Sequence, residues 1–281
     1  MSLTITPSGA SCGATITGLD ISQPLNSDQL GQLRSAWMTH HVLALPDQQL
    51  SADQLEAFTG QLGRLAEEPF FTPIEGQRYT AKVARSATET TSIFAEAWHA
   101  DWTFEQRPPI GTCLYGVTIP PHGGDTLFAN QHAAYSGLPC ELRSKVDKLE
   151  AVHSAVMAYS PEGIYGQEPT DSGRAMQPVI SEKARERRTH PLVISHPENG
   201  HNAIYGTLGY IIGLTGYSDE QALELLTELQ SWQTREEYIY RHQWQPNMLV
   251  IWDNRSVLHC ATGGYEGYDR LLLRTTVWPK L

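Results

Sequence analysis

The spacing of apolar residues in the first 95 positions predicts a helix-rich opening. Residues 3–19 alternate Thr, Ile and Ala with Gly, which predicts short strands joined by turns. A first amphipathic helix follows Asn26, and the continuous apolar run at 42–45 is typical of a buried strand. Ser51 and Gln54 have the spacing of a capping box, which predicts a second helix that ends near Gly63. The core-facing positions of the two helices are Leu30, Leu33, Trp37, Met38, Leu55, Phe58 and Leu62.

From Gly111 onward the pattern changes to short β-prone runs separated by turns that contain Gly and Pro. This spacing favours a closed or sandwiched antiparallel sheet over alternating strands and helices. One further helix is predicted after the capping box of Ser218 and Gln221. The β-prone runs lie at 112–118, 126–129, 192–195, 248–252 and 271–278.

These patterns predict an α+β fold, mainly β, in a single domain spanning residues 1–281. We expect its helix-rich part at about 1–95 and its β core at about 96–281. The polar stretch at about 160–190 reads as an insertion running over the surface, and it has the length of a mobile lid.

Composition restricts the partners. With 20 basic and 31 acidic residues the net charge is −11, which argues against a nucleic acid or an anionic membrane. Small anions remain possible, since one or two buried Arg suffice to bind them. The four cysteines are far apart, without a C-x-x-C pair, and are expected to be reduced thiols. No segment resembles a signal peptide or a membrane span, so a cytoplasmic protein is expected.

A candidate metal site begins at His99 and Asp101. In a strand, side chains two positions apart share a face, so this imidazole and this carboxylate can bind one ion. The pattern alone is weak, because His-x-Asp or His-x-Glu should occur about once by chance in such a chain. It does recur at His196 and Glu198, but Pro197 and the following Asn-Gly indicate a turn there, and we interpret that pair as structural.

His259 is the candidate third ligand, although a single strand His is more often a hydrogen-bonded core residue. The next β run carries Arg270 and Arg274 on one face. Two Arg in such a run either face solvent or point into a cavity that holds an anion. Alternation alone favours the solvent-facing interpretation.

Taken together, the order and spacing of these motifs resemble the TauD/TfdA family of Fe(II)/2-oxoglutarate-dependent dioxygenases over nearly the whole chain. That family includes taurine dioxygenase, alkylsulfatase dioxygenases and aryloxyalkanoate-degrading enzymes. The matching segments are 5–20, 98–104 (WHADWTF), Pro109, 123–126 (GGDT), 191–197, Trp244, 251–255 (IWDNR), His259 and 270–276 (RLLLRTT).

The resemblance implies that His99, Asp101 and His259 bind Fe(II). It implies that Thr126 and Arg270 hold the distal carboxylate of 2-oxoglutarate, and that Arg274 binds a substrate anion or supports the cosubstrate. The fold implied is a double-stranded β-helix, or jelly roll, with helices packed outside. The activity implied is hydroxylation of a small, anionic substrate such as a sulfonate, sulfate ester, aryloxy acid or other carboxylate, coupled to conversion of 2-oxoglutarate and O2 to succinate and CO2. Family members are commonly dimers or tetramers, so a homo-oligomer is expected.

Departures from taurine dioxygenase lie in the substrate pocket. The stretches 66–71 (AEEPFF) and 94–97 (FAEA) lack the His, Tyr and Asn found there in taurine dioxygenases, so taurine is not the expected substrate. The pocket is expected to be apolar. His153 lies on another segment expected to line the pocket, and a structural role is at least as well supported as a substrate contact. The candidate substrate contacts are Phe70, Phe94, Trp102, Tyr205 and Arg274, and Phe71 adds to the expected apolar character of the pocket.

Three other functions are weighed against this one. A cupin-type jelly-roll metalloenzyme would not need 2-oxoglutarate, and Arg270 with Thr126 at the family spacing argues against it. A halogenase would lack the carboxylate ligand, whereas Asp101 is present. A non-catalytic paralogue on the same scaffold is disfavoured because all three candidate ligands are intact.

Overall fold

A computed structural model describes residues 3–169 and 172–280. Six α-helices and two short 3-10 helices, at Glu182–Arg185 and Glu236–Tyr238, accompany fifteen strands in this part of the chain. The α-helices are α1 (Ser27–His40), α2 (Ala52–Leu62), α3 (Gln131–Gly137), α4 (Cys140–Val146), α5 (Val156–Tyr159) and α6 (Asp219–Gln233). The strands are β1 (Thr4–Pro7), β2 (Ala14–Thr17), β3 (Val42–Leu45), β4 (Ala81–Arg85), β5 (Gly111–Thr118), β6 (Thr126–Asn130), β7 (Glu150–His153), β8 (Arg188–Pro191), β9 (Val193–Ser195), β10 (Asn202–Ile204), β11 (Ile211–Leu214), β12 (Ile239–His242), β13 (Leu249–Asp253), β14 (Val257–Ala261) and β15 (Arg270–Val277).

The largest sheet contains seven strands in the order β1-β2-β3-β13-β5-β15-β4. All its pairings are antiparallel except β2 with β3. A three-stranded sheet, β12-β6-β14, packs against one face of it, and α1 and α2 cover the other face. A second three-stranded sheet, β11-β7-β8, and the pair β10-β9 complete the arrangement. The observed fold is therefore mixed α and β with sheet predominating.

The predicted elements at both ends of the chain are present, with one difference. The N-cap residues of α1, α2 and α6 are Asn26, Ser51 and Ser218, and each forms a capping box. Each of the five β-prone runs corresponds to a strand. The opening, however, is not only helical, because β1 to β4 supply four of the seven strands in the largest sheet. β1, β2 and β3 lie where short strands are predicted, at 3–19 and 42–45, whereas β4 was not predicted.

Gly63 ends α2 where the helix approaches β15 closely. A Cβ atom at this position would lie 2.6 Å from Cγ1 of Val277 and 2.9 Å from the carbonyl oxygen of Trp278. Only glycine allows this approach, and it sets α2 against the strand that carries Arg270 and Arg274.

The stretch at 160–190 is more closely packed than a surface excursion. Arg174, Met176 and Ala184 are buried, and the 3-10 helix at Glu182–Arg185 lies within it. The insertion therefore contributes to the core, while the lid prediction stays a prediction; Thr170 and Asp171 lie outside the described residues. The cysteines are free thiols, as predicted, and no described helix is both long and apolar enough to cross a membrane.

Candidate active site

The three candidate ligands converge at the junction between two sheets. His99 forms an isolated antiparallel bridge with His259 of β14, with backbone N–O distances of 3.0 and 2.8 Å. The predicted strand does not continue through Asp101, because the chain turns there and Trp102 has a positive φ of 49°. The side chains still meet: Oδ1 and Oδ2 of Asp101 each lie 3.7 Å from one Nε2 atom, of His99 and His259 respectively.

Neighbouring groups orient these side chains. Thr112 of β5 donates a hydrogen bond of 2.6 Å from Oγ1 to Oδ2 of Asp101. Nδ1 of His99 lies 2.8 Å from the carbonyl oxygen of Ala97, which can only accept a hydrogen bond. The proton of this imidazole is therefore placed on Nδ1, and the lone pair of Nε2 faces the other two ligands.

The protonation states suit metal binding. Burial lowers the pKa of both His99 and His259, so both imidazoles are held in the neutral form that binds metal. Burial alone would raise the pKa of Asp101, but the Arg274 guanidinium and the hydrogen bond from the Thr112 hydroxyl hold it well below its usual value. The site thus presents two neutral nitrogen donors and one carboxylate, within 4.8 Å of one another.

A small cavity of about 40 Å³ lies on one side of this triad and is lined by Thr126 and Arg270. Arg270 is 7% exposed; one of its nitrogens donates to the carbonyl oxygen of Gly124, and its Nε has no partner among the described residues. The hydroxyl of Thr126 accepts a hydrogen bond of 3.0 Å from the indole of Trp244. A buried guanidinium with an unused donor is suited to binding an anion.

The solvent-facing interpretation of the two arginines is wrong. Arg274 is 5% exposed and, like Arg270, points inward from β15. The solvent-facing interpretation rested on the rarity of buried Arg, which holds only where no carboxylate or ligand compensates the charge.

A second cavity, of about 210 Å³, adjoins the first and shares Phe94, Ala95, His99 and Arg274 with it. Its wall is mainly apolar and has six aromatic side chains, and Arg274 is its basic residue. Of the candidate substrate contacts, the structure places Phe94, Trp102 and Arg274 on this wall, and Phe71 lies there too. The remaining aromatic lining residues are Tyr159, Tyr165 and Tyr210, joined by Met157 and Ile164.

Two candidate substrate contacts lie outside this cavity. Phe70 does not line the cavity but packs behind its wall, where its ring stacks on Tyr159 at a centroid distance of 4.6 Å. Tyr205 lies instead at a separate surface cavity beside Arg255. Phe70 and Phe71 are adjacent in an irregular segment, so sequence alone did not show which ring faces inward; Tyr205 was placed by resemblance alone.

The two structural interpretations of histidines hold. His153 is fully buried and hydrogen-bonded through Nδ1 to the Thr103 hydroxyl at 2.8 Å, and it does not line the cavity. His196 is hydrogen-bonded to Asp253 at 3.1 Å, and a turn follows at 197–199.

Sequence reasoning missed Glu68, the partner of Arg274. Glu68 is 7% exposed; its Oε1 accepts from Nε of Arg274 at 3.2 Å, and its Oε2 accepts from the indole of Trp102. Its position directly before the apolar Pro-Phe-Phe segment was the available signal for a buried carboxylate. Tyr159 and Tyr210 were also missed, and no local pattern marks them.

A mainly β fold with two histidines and one carboxylate beside two adjoining cavities is typical of one class, the mononuclear non-haem metal oxygenases. The family model described as "Taurine catabolism dioxygenase TauD, TfdA family" matches residues 4–276. The chain belongs to this family and is a 2-oxoglutarate-dependent dioxygenase.

Individual relatives agree with this assignment. The chain is 33% identical to an alkylsulfatase of Acinetobacter baylyi, over 94% of this chain and 81% of the relative. It is 30% identical to an alpha-ketoglutarate-dependent 2,4-dichlorophenoxyacetate dioxygenase of Cupriavidus pinatubonensis, with 92% of each chain covered. A solved taurine dioxygenase structure from Burkholderia xenovorans has a TM-score of 0.81 at 29% identity, covering 100% of this chain and 91% of that one.

Proposed function

We propose that this enzyme uses Fe(II), held by His99, Asp101 and His259, to hydroxylate a small organic molecule at the expense of 2-oxoglutarate and O2. The observation that supports this most strongly is that the three ligands line two adjoining cavities of different character, His99 lining both, His259 the first and Asp101 the second. The first cavity holds a buried, incompletely paired Arg270, and the second is lined by aromatic side chains. A cosubstrate anion and an organic substrate can therefore bind next to each other at the same metal ion.

The donor set fits iron. Two neutral imidazoles and one carboxylate leave coordination positions free, and this combination is typical of Fe(II) oxygenases. When bound, Fe(II) would activate O2, the oxidant, with 2-oxoglutarate giving two electrons and the substrate two, so that succinate, CO2 and a hydroxylated product would result.

The residues of the chain itself bind the cosubstrate, orient the metal ligands and the substrate, and exclude water from the site. Arg270 and Thr126 bind the distal carboxylate of 2-oxoglutarate, because together they offer an unused guanidinium donor and a hydroxyl in a buried cavity. Thr112 holds Asp101 in its ligating orientation. The aromatic wall excludes water from the substrate and orients its target C–H bond toward the metal.

The substrate is expected to be small and largely apolar, as the aromatic wall and the volume of about 210 Å³ indicate. The relatives named for alkyl sulfates and for 2,4-dichlorophenoxyacetate make sulfate esters and aryloxy acids the first classes to screen. Each should be screened beside an uncharged analogue, because Arg274 on the cavity wall is already ion-paired.

For the architecture, we propose one catalytic domain spanning residues 1–281 in which the largest sheet and the β12-β6-β14 sheet form the double-stranded β-helix. The packing of their facing side chains in one cluster supports this arrangement. Assembly into a dimer or tetramer stays a prediction from the resemblance.

The first test is an anaerobic titration of the Fe(II)-loaded protein with 2-oxoglutarate, monitored by the weak visible charge-transfer absorption of the chelate. We expect the band in the wild type and its loss in His99→Ala and in Asp101→Ala, with succinate formation falling to background in both variants. His196→Ala is the matched control, because this buried His lies outside the triad, and its folded fraction should bind iron and form the band.

If iron binds but the band does not appear, the cosubstrate assignment is wrong, and a cupin-type metalloenzyme becomes the better candidate. Full turnover by the Asp101→Ala variant would show that the triad is misassigned.

A further inference from the structure

The charge of Arg274 is balanced before any substrate enters the aromatic cavity. Its Nε donates to Glu68 at 3.2 Å, and its Nη2 lies 3.0 Å from Oδ1 of Asp101, close enough for an ion pair but without hydrogen-bond alignment. All three side chains are almost completely buried. Arg274 is therefore not a free cation waiting for an anionic ligand.

Glu68 is also fixed in place. Its second oxygen accepts a hydrogen bond from the indole nitrogen of Trp102, which itself lines the cavity. A substrate anion that displaced Glu68 from Arg274 would have to strain or break this second bond and leave a buried carboxylate with fewer partners. Such a loss is unfavourable in a buried site.

The charges around the triad are equal in number. Asp101 and Glu68 are the two carboxylates, and Arg270 and Arg274 are the two guanidinium groups. Burial raises the pKa of Glu68, but the Arg274 guanidinium and the Trp102 indole oppose this shift and favour the carboxylate form. The proposed occupants, Fe(II) and the 2-oxoglutarate dianion, balance each other as well. An uncharged substrate preserves this neutrality, whereas a monoanion would add one uncompensated charge to a buried region.

We propose that Glu68 is a specificity-determining residue that, by neutralising Arg274, makes the aromatic cavity select an uncharged substrate over an anion of similar shape. This inference rests on the proposed function, since it assigns the substrate to that cavity. It narrows the substrate class to uncharged molecules that are aromatic or aliphatic and fit a volume of about 210 Å³.

The test compares matched ligand pairs by isothermal titration calorimetry on the Fe(II)- and 2-oxoglutarate-loaded protein under argon, where no turnover occurs. The pairs are phenoxyacetate with phenoxyacetamide, and benzenesulfonate with benzenesulfonamide. Wild type should bind the uncharged member of a pair more tightly. Glu68→Gln should bind the anion at least about tenfold more tightly than wild type does, because the guanidinium then lacks its counter-charge. Binding of the uncharged member should change by less than about twofold.

Two variants separate charge from structural damage. Glu68→Asp keeps the carboxylate and should keep the wild-type preference. Glu198→Gln removes a different Arg-paired carboxylate, at the separate surface cavity beside Arg34 and Arg255, and should leave the preference unchanged.

Three results would contradict the proposal. Wild type could bind the anions more tightly than the uncharged ligands, Glu68→Gln could show no gain in affinity for either anion, or none of the four ligands could bind. If the proposed function itself is wrong, the charge-transfer band will be absent, and this band is expected to depend on Arg270 and not on Glu68. In that case the same ligand pairs can be compared on metal-free protein, because the two carboxylates and two guanidinium groups are still present in equal number.

Discussion

Arg270 and Arg274 lie four residues apart on the same face of β15, yet their surroundings are opposite. Arg270 has a backbone carbonyl as partner and an unused Nε, and burial lowers its pKa. Arg274 is also subject to burial, which would lower its pKa, but Asp101 and Glu68 raise it above the usual value. Among the described residues, the Arg270 guanidinium has no ion-paired carboxylate, whereas the Arg274 guanidinium has two, those of Glu68 and Asp101. The same residue type on one strand can therefore serve as a ligand-binding group or as half of a structural ion pair.

The largest effect expected from this comparison is on stability. Arg274→Leu should lower the free energy of unfolding by about 3–5 kcal/mol, because Glu68 would remain buried without its partner. Urea denaturation measures this. The double variant Arg274→Leu/Glu68→Leu should recover much of the loss, since no buried charge is then unpaired; equal instability of single and double variants would show that the ion pair is not the cause.

Arg270→Leu should instead affect the cosubstrate. Removing a buried cation from the distal carboxylate should raise the Michaelis constant for 2-oxoglutarate by roughly 30-fold or more, corresponding to about 2 kcal/mol or more. Steady-state succinate formation measures it. Since Arg270 has no buried carboxylate partner, its loss should destabilise the fold less than loss of Arg274. An unchanged Michaelis constant would move the anchor elsewhere.

Thr112→Val tests a group that serves both cavities, because it orients the shared ligand Asp101. Loss of its hydrogen bond should weaken metal binding by about 10- to 100-fold. Competition titration with Fe(II) under argon measures the dissociation constant. Thr118→Val, at the exposed end of the same strand, is the control and should bind iron like wild type.

The smallest expected effect is on the pH dependence of stability, and it concerns the buried histidines His153 and His242. Burial lowers the pKa of His153, near the aromatic wall, to about 3, and that of His242, beside Trp244, to about 4. The unfolded chain therefore binds more protons below its ordinary His pKa of 6.5, so stability should fall as pH decreases from 6.5 toward 4.

Each such imidazole contributes a slope of about 1.4 kcal/mol per pH unit within this window. His153→Gln and His242→Gln should each reduce the loss of stability between pH 6.5 and pH 5, as measured by urea denaturation at both values. A pH dependence identical to that of wild type in both variants would contradict the buried-neutral assignment.

Much of the fold could be predicted because its signals are local. Capping boxes at Ser51 and Ser218 and the β-prone runs depend on residues a few positions apart, and the structure contains them. The short strands at 3–19 and 42–45 were predicted as well, but β4 was not, because it forms by pairing with β15 from the other end of the chain.

The residues of the candidate site also fall into two groups, those that the sequence predicted and those that depend on tertiary packing. His99 and Asp101 were found through their spacing, and His259, Thr126 and Arg270 through the order of motifs along the chain. The aromatic wall was predicted only in part, because whether Phe70 or Phe71 faces the cavity depends on an irregular segment packed against Tyr159.

By itself, then, the sequence determined the chemistry available to this protein: the family, the three metal-ligating side chains and the two arginines near them. Only the tertiary structure decided how that chemistry is distributed. Glu68 and Arg274 are separated by more than 200 residues, and nothing local indicates that one neutralises the other. Their pairing follows from the packing of an irregular segment against β15, where burial makes an uncompensated charge unfavourable.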